Sequence, residues 1–196
     1  MSTPVTQRLY EALIAQNPSG CKGAKCPVER LSWFAAARCA NTLSIAQGLH
    51  PVYAINGDQV SIQRRANGWH LPTEAQWEDA ARAGGHSKYS GGEVLKDIGW
   101  YVENSRGKSH PVGKKPPNAW GLYDMSGNVY EWVWDWLKQL PSTPQQDPRG
   151  PESGYERVYR GGSWNADSSS AQIMMRKGGT PHIRGNDLGF RLCRSA

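Results

Sequence analysis

The chain of 196 residues has no apolar run close to the roughly 20 residues that a membrane-crossing helix needs, so membrane insertion is excluded on composition. It has no leader pattern either. MSTPVTQRLYEAL turns polar at once, and the expected setting is cytoplasmic unless the sequence is a piece of an exported or surface protein. Phenylalanine occurs only 2 times, against 9 Trp and 8 Tyr, so the core must be built from rings that carry a polar atom. Internal repeats are missing, which excludes a solenoid. No polybasic run occurs, although residues from 160 onward carry six basic and two acidic side chains. Those arginines are interleaved with Gly, Ser and Asn and have few aromatics among them, so nucleic acid is not the expected partner. HExxH is absent, and the five histidines (His50, His70, His86, His110 and His182) are scattered. GGSWN around Ser163 lacks the second glycine of a nucleophile elbow. Glu78 and Asp79 are adjacent on one helix and point apart, a poor acid/base pair. No catalytic centre emerges from these residues.

What is present is turn chemistry: 22 Gly and 13 Pro argue for short elements and ordered loops within one domain over residues 1–196. Thr6 suits the N-cap of a first helix reaching about Ala15, with Leu9, Leu13 and Ile14 on one face. Ser32 suits the cap of a second, in which Ala36, Cys39, Leu43 and Ala46 recur until Gly48. PVYAINGDQVSI reads as a hairpin, with Val52 and Ala54 in phase before the turn and Val60 and Ile62 after it. Thr73 and Gln76 have capping-box spacing for a third helix with Trp77, Ala80 and Ala81 on its buried stripe, ending at Gly84. Beyond residue 85 only short strand candidates appear, NVYEWVWDWL and ERVYRGG, and residues 141–154 look like an exposed excursion. Trp132, Trp134 and Trp136 share one face of an extended strand, either as core or as an aromatic floor for a neighbouring loop.

Cys21 and Cys26 flank KGAK. No second Cys or His pair has zinc spacing, which leaves a small closed disulfide ring or two free thiols. Cys39 reads as a small buried residue, and Cys193 as a core residue or a disulfide partner, for which Cys39 is a candidate.

Four blocks carry a resemblance: GWHLPTEAQWEDAARAG (68–84), HPVGKKPPNAWGLYDMSGNVYEWVWDW (110–136), RVYRGGSW (157–164) and NDLGFRLCR (186–194). With PVTQRLYEAL and CPVERLSWFAAARCANTLS, they resemble the formylglycine-generating-enzyme-like, or sulfatase-modifying-factor, domain over nearly the whole chain. The resemblance implies an α+β, C-type lectin-like fold with two main helices, a small antiparallel sheet and much ordered loop. The family's leading strand has no counterpart here. Its enzymes use two cysteines after the RGGS segment to bind copper, whereas the stretch here, NADSSSAQIMMRKGGTPHIRGND, has none, so no copper is expected. Formylglycine-type oxidation, or an accessory role in sulfatase maturation, is therefore the lesser alternative. Asp124, Gly127, Val129 and Glu131 match the family's calcium loop, which implies Ca²⁺. The competing reading has Asp124 capping a turn and Glu131 pairing with an arginine. A second calcium site near residues 104–113 lacks its carboxylate.

The branch resembled best is that of the variable proteins of diversity-generating retroelements, whose C-terminal stretch is rewritten while the scaffold stays. That implies a non-catalytic module binding an unknown protein or surface ligand through residues 165–187. The implied contact set is Trp164, Ala166, Asp167, Ser169, Ser170, Met175, Lys177, Gly178, Gly179, His182, Ile183 and Gly185. Arg176, Pro181 and Arg184 look structural. Oligomeric state is left open.

Overall fold

A computed structural model describes residues 1–140, 143 and 145–194. Pro141, Ser142 and Pro144 of the expected excursion lie outside them. The first helix, α1 (Gln7–Ile14), starts where the Thr6 hydroxyl accepts from Leu9 N and ends at Ala15 in the left-handed region. Next, α2 (Trp33–Ala46) starts at Ser32, whose hydroxyl accepts from Ala35 N. The third helix, α3 (Glu74–Arg82), has both halves of the Thr73–Gln76 capping box. Between α2 and α3 lies the hairpin β1 (Tyr53–Asn56) and β2 (Gln59–Ile62), paired Tyr53 to Ile62. Its inward phase is Tyr53 and Ile55, one residue off the expected Val52/Ala54 phase, because the Tyr53 ring stacks on Trp134 at 5.0 Å. A short α4 (Leu95–Ile98) follows α3.

The remaining strands form one sheet in the order β5–β4–β3–β6: β3 (Tyr130–Trp136), β4 (Arg157–Arg160), β5 (Arg176–Gly179) and β6 (Leu188–Phe190). The expected antiparallel sheet is in fact mixed, since β3 and β6 run parallel. Residues 1–5 run alongside β6 without being a strand: Val5 N donates to Phe190 O and Val28 N to Val5 O, both at 2.9 Å. This pairing takes the place of the missing leading strand.

Successive residues of a strand point to opposite faces, and here both faces are covered. Trp132 and Phe190 pack with Trp33, Phe34 and the alanines of α2 on one side; Val133 and Val158 pack with Trp77, Met125 and Ile173 on the other. Trp132 is fully buried in the core, Trp134 is half-buried against it, and Trp136 is half-buried under Arg157, so only the first of the three is core.

Burying both faces forces the polar residues of β3 and β4 to find partners inside. Arg191 donates to Glu131 from Nε and Nη2 at 2.6 and 2.7 Å, and Trp77 Nε1 donates to the same carboxylate at 2.7 Å. Arg160 reaches Glu78 at 2.6 Å and lies 3.5 Å from Glu74. Arg157 stacks on Trp33 and Trp136, with its carbon 3.8 and 3.6 Å from the ring centres, and donates to Trp134 O. Asp135 accepts from Glu74 N at 2.6 Å, tying the first turn of α3 to the sheet.

The disulfide expectations are not met. All four cysteines are free thiols. The Cys21–Cys26 loop is pinned instead by Gln7, which donates to Cys21 O, and by buried Glu29, which accepts from Gly20 N and Cys21 N. Cys39 sits in the α2 core, while the Cys193 sulfur lies 3.4 Å from His70 Nδ1; burial pushes both thiols up to about 12.

Two outcomes are expected. Replacing Arg191 by Ala leaves Glu131 buried with only the Trp77 donor and should cost about 3–5 kcal/mol in urea unfolding. A loss under about 1 kcal/mol would show that the pair is dispensable. Burial, reinforced by the nearby Glu74 charge, raises the Asp135 carboxyl to about 6. The unfolded value is about 4, so the native state holds the extra proton between the two, and the contribution of Asp135 to stability falls as pH rises across that window. Asp135→Asn keeps an acceptor for Glu74 N; it should be more stable than the parent at pH 7 by about 2 kcal/mol, and the difference should vanish near pH 4.

Candidate ligand-binding face

The segment from Trp164 to Asp187 follows two glycines, Gly161 and Gly162, both at positive φ. Gly162 has no room for a side chain, since a Cβ would stand 2.7 Å from Ala171 Cα. From there the backbone is tied down at short intervals by groups that lie mostly outside the segment. Trp164 N donates to Asn128 O, Val102 N to Ala166 O, and Ile173 N to Lys88 O. Ser126 Oγ donates to Ala171 O, and Arg160 Nη1 to Met175 O at 2.8 Å. Arg176 grips Glu74 through two 2.6 Å bonds, Trp33 N donates to Pro181 O, and Arg30 N donates to Gly185 O. Ser163 Oγ donates to Asp187 Oδ2 at 2.7 Å and closes the span.

Asn128 is the hub that the sequence reading missed. It is fully buried, has a φ of 66°, and exchanges hydrogen bonds with His110 while donating to Asp124. The S-G-N run at 126–128 was the available signal, because Asn tolerates the left-handed region.

The expected contact residues divide. Asp167, Ser169, Met175, His182 and Ile183 are exposed; Trp164, Ala166, Lys177, Gly178 and Gly185 are half-buried. Ser170 and Gly179 are buried, contrary to expectation: Ser170 lies in a 3₁₀ turn (Ser169–Ala171) packed on the interior, and Gly179 is covered by Ile183 and Tyr159. Arg184, expected to be structural, is exposed.

On β5 the alternation of the strand splits the set again. Lys177 and Gly179 share the face of Tyr159, whereas Gly178 faces Leu137 and Glu156. On the first face Tyr130 and Tyr159 stand edge to face at 5.1 Å, and the Lys177 ammonium lies 5.0 Å from the Tyr130 ring centre. Its closeness to the Tyr130 side chain raises the Lys177 ammonium, so it is charged at neutral pH. Asp167 is held low by its bonds from Ser169 and Ser170. His182 marks the rim, with Nε2 3.0 Å from Asp58 at the tip of the β1–β2 hairpin. The result is a shallow face with a tyrosine floor, one fixed cation, one fixed anion and a ring of exchangeable side chains.

The calcium expectation meets a different geometry. Both Glu131 oxygens receive donors from Arg191 or Trp77, and Asp124 accepts from Gly113 N at 2.8 Å and from Asn128. Burial raises the Asp124 carboxyl, and no cluster of three or more His, Cys, Asp or Glu able to hold a metal occurs among the described residues. Arg191 holds both Glu131 oxygens, so an ion bound by Glu131 together with the Gly127 and Val129 carbonyls would have to displace its guanidinium. The donor set does not fit Ca²⁺. Nor does the stretch from Trp164 to Asp187 contain a thiol for copper.

Helices packed on a small sheet with long, backbone-pinned loops form a C-type lectin-like fold of the formylglycine-generating-enzyme type. The likeness to variable proteins is matched in three dimensions: Treponema denticola variable protein 1 superposes with a TM-score of 0.94 at 38% identity, over 99% of this chain and 83% of that one. PvdO from Pseudomonas aeruginosa gives a TM-score of 0.73 at 26% identity, over 90% and 64%. In sequence the chain is 34% identical to the chaperone protein LppX of Paenibacillus barcinonensis over 97% of its own length and 78% of that protein. It is also 34% identical to the formylglycine-generating enzyme of Streptomyces coelicolor, with 75% of this chain aligned but only 53% of the enzyme. The chain belongs to the family of the sulfatase-modifying factor enzyme 1-like domain, whose model matches residues 1–196.

Because both loop carboxylates are already satisfied, millimolar calcium or EDTA should each move the melting temperature by less than about 1 °C. A calcium-dependent rise of several degrees, reversed by EDTA, would mean that Arg191 yields Glu131 to the ion.

Proposed function

We propose that the chain is a non-catalytic binding module that engages a protein through the face built from residues 165–187. The observation that carries this reading is the separation of roles within the segment. Its backbone is fixed chiefly by Arg160, Arg176, Asn128, Trp33 and other groups, while Asp167, Ser169, Met175, His182 and Ile183 are exposed; of these five side chains only Asp167 bonds a backbone group of the segment, accepting from Ser170 N, and His182 reaches out to Asp58. Surface side chains of this kind change folding stability by about 0.5 kcal/mol or less each, so affinity can vary while the scaffold persists. The exposed Met174 and Met175 supply adaptable apolar contact, and the half-buried Tyr159 ring, set edge to face on buried Tyr130, supplies rigid aromatic area. Oxidation of the kind that gives the Streptomyces relative its name lacks support here, since no thiol lies between Trp164 and Asp187.

The test is a display library with positions 167, 169, 175, 182 and 183 randomised and selected on a protein target such as lysozyme. Clones that bind with micromolar or better affinity and melt within a few degrees of the parent are expected. If binders emerge only from clones that no longer melt cooperatively, or if none emerge, the face is not a display surface. Oxygen uptake by the copper-loaded chain on a cysteine-containing sulfatase peptide would contradict the non-catalytic assignment directly.

A further inference from the structure

A second site has no residue of 165–187 in its lining. After β2 the chain turns through residues 63–68 and, with Arg149 arriving from the other direction, walls a cavity of about 420 Å³. Three arginines line it, Arg64, Arg65 and Arg149, together with Asn67, His70 and Trp134; no Asp or Glu does so among the described residues. None of the three arginines has a salt bridge or a side-chain hydrogen bond among those residues. That sets them apart from Arg82, Arg157, Arg160, Arg176 and Arg191, all of which are bonded.

The loop that carries the pair is held in place rather than free. Gln63 N donates to Val52 O at 2.8 Å, and Asn67 Oδ1 accepts from His50 N at 2.9 Å. Gly68 is packed so closely that a Cβ would stand 2.6 Å from His50 O, and Arg65 occupies the left-handed region at a φ of 63°. The loop backbone is thus held in place, and Arg64 and Arg65 from it and Arg149 from a separate segment all border the cavity. Carboxylates in the adjoining clefts do not neutralise the group: Glu74 and Glu78 are bound to arginines, Asp135 to Glu74 N and Asp58 to His182. Asp79 and Glu152 line two other clefts, which Arg149 also borders, and neither lines this one.

We propose that this cavity binds a small phosphomonoester. Guanidinium forks match tetrahedral oxyanions two bonds at a time, and three arginines around a cavity that no described carboxylate lines call for a dianion rather than a single carboxylate. The volume exceeds what a bare phosphate fills and lies within the usual range of small-ligand sites, roughly 300–1,000 Å³. The organic part of the ligand meets the apolar part of the lining, where half-buried Trp134 stands stacked on Tyr53 with planes 6° apart. The site shares no residue with the proposed display face, so either can fail alone.

The test is isothermal titration of the whole chain at low ionic strength with AMP, ribose 5-phosphate, adenosine and inorganic phosphate, repeated on Arg64→Ala/Arg65→Ala and on Arg149→Ala. All three arginines are exposed and unbonded, so these variants should melt with the parent. Saturable binding of at least one ester is expected, weakened at least tenfold in the double variant and severalfold in Arg149→Ala, with adenosine silent. AMP binding more tightly than ribose 5-phosphate identifies a nucleotide as the source, and equal affinities identify a sugar phosphate; both support the site. No saturation by either ester up to 10 mM, undiminished binding in the double variant, or adenosine binding as well as AMP overturns it.

Discussion

The structure depends on one constraint: a short sheet buried on both faces whose strands nevertheless carry charged residues. Glu131 lies on the central strand with no water to solvate it, and its carboxylate is met by Arg191 from the end of the chain and by the Trp77 indole from α3. Such a group costs desolvation energy, so its value lies less in net stability than in what it forbids. Any packing that separates α3, β3 and the C-terminal tail strands a charge. Arg160 does the same for α3, β4 and the backbone at Met175, and Asp135 for β3 and the start of α3. Three elements distant in sequence are thereby locked in one arrangement, and long loops can cross the surface without loosening it.

This locking explains the uneven reach of the sequence. The three helices were readable because Thr6, Ser32 and Thr73 advertise their caps locally, and the strand at 130–136 because its indoles alternate. The hairpin was placed correctly, but its inward phase was not, since that depends on the Tyr53–Trp134 stack, a contact between residues 81 apart in the chain. The mixed sheet was hidden for a related reason: whether β6 runs parallel to β3 is decided by where residues 163–187 carry the chain. Asn128 and Ser163 were legible only as turn residues, and their role as anchors appears once the loops they tie are in place.

At the candidate face the sequence identified the right segment and overestimated its uniformity. Residue type could not tell Ser169, which points out, from Ser170, which points in, nor Gly178 from Gly179, which face opposite sides of β5. The calcium loop is the clearest divergence. The motif is present in the sequence, yet Arg191 occupies the place where a cation's charge would act. One fold can therefore serve relatives with different chemistries, because its charge network closes internally and leaves the outer loops free to specialise.

Urea unfolding of two variants side by side tests this division most directly. One carries alanine at 167, 169, 175, 182 and 183 together, and the other only Arg160→Ala. The five-site variant should lose less than about 2.5 kcal/mol and the single one about 3–5 kcal/mol. Equal losses, or a greater loss from the five surface positions, would contradict it.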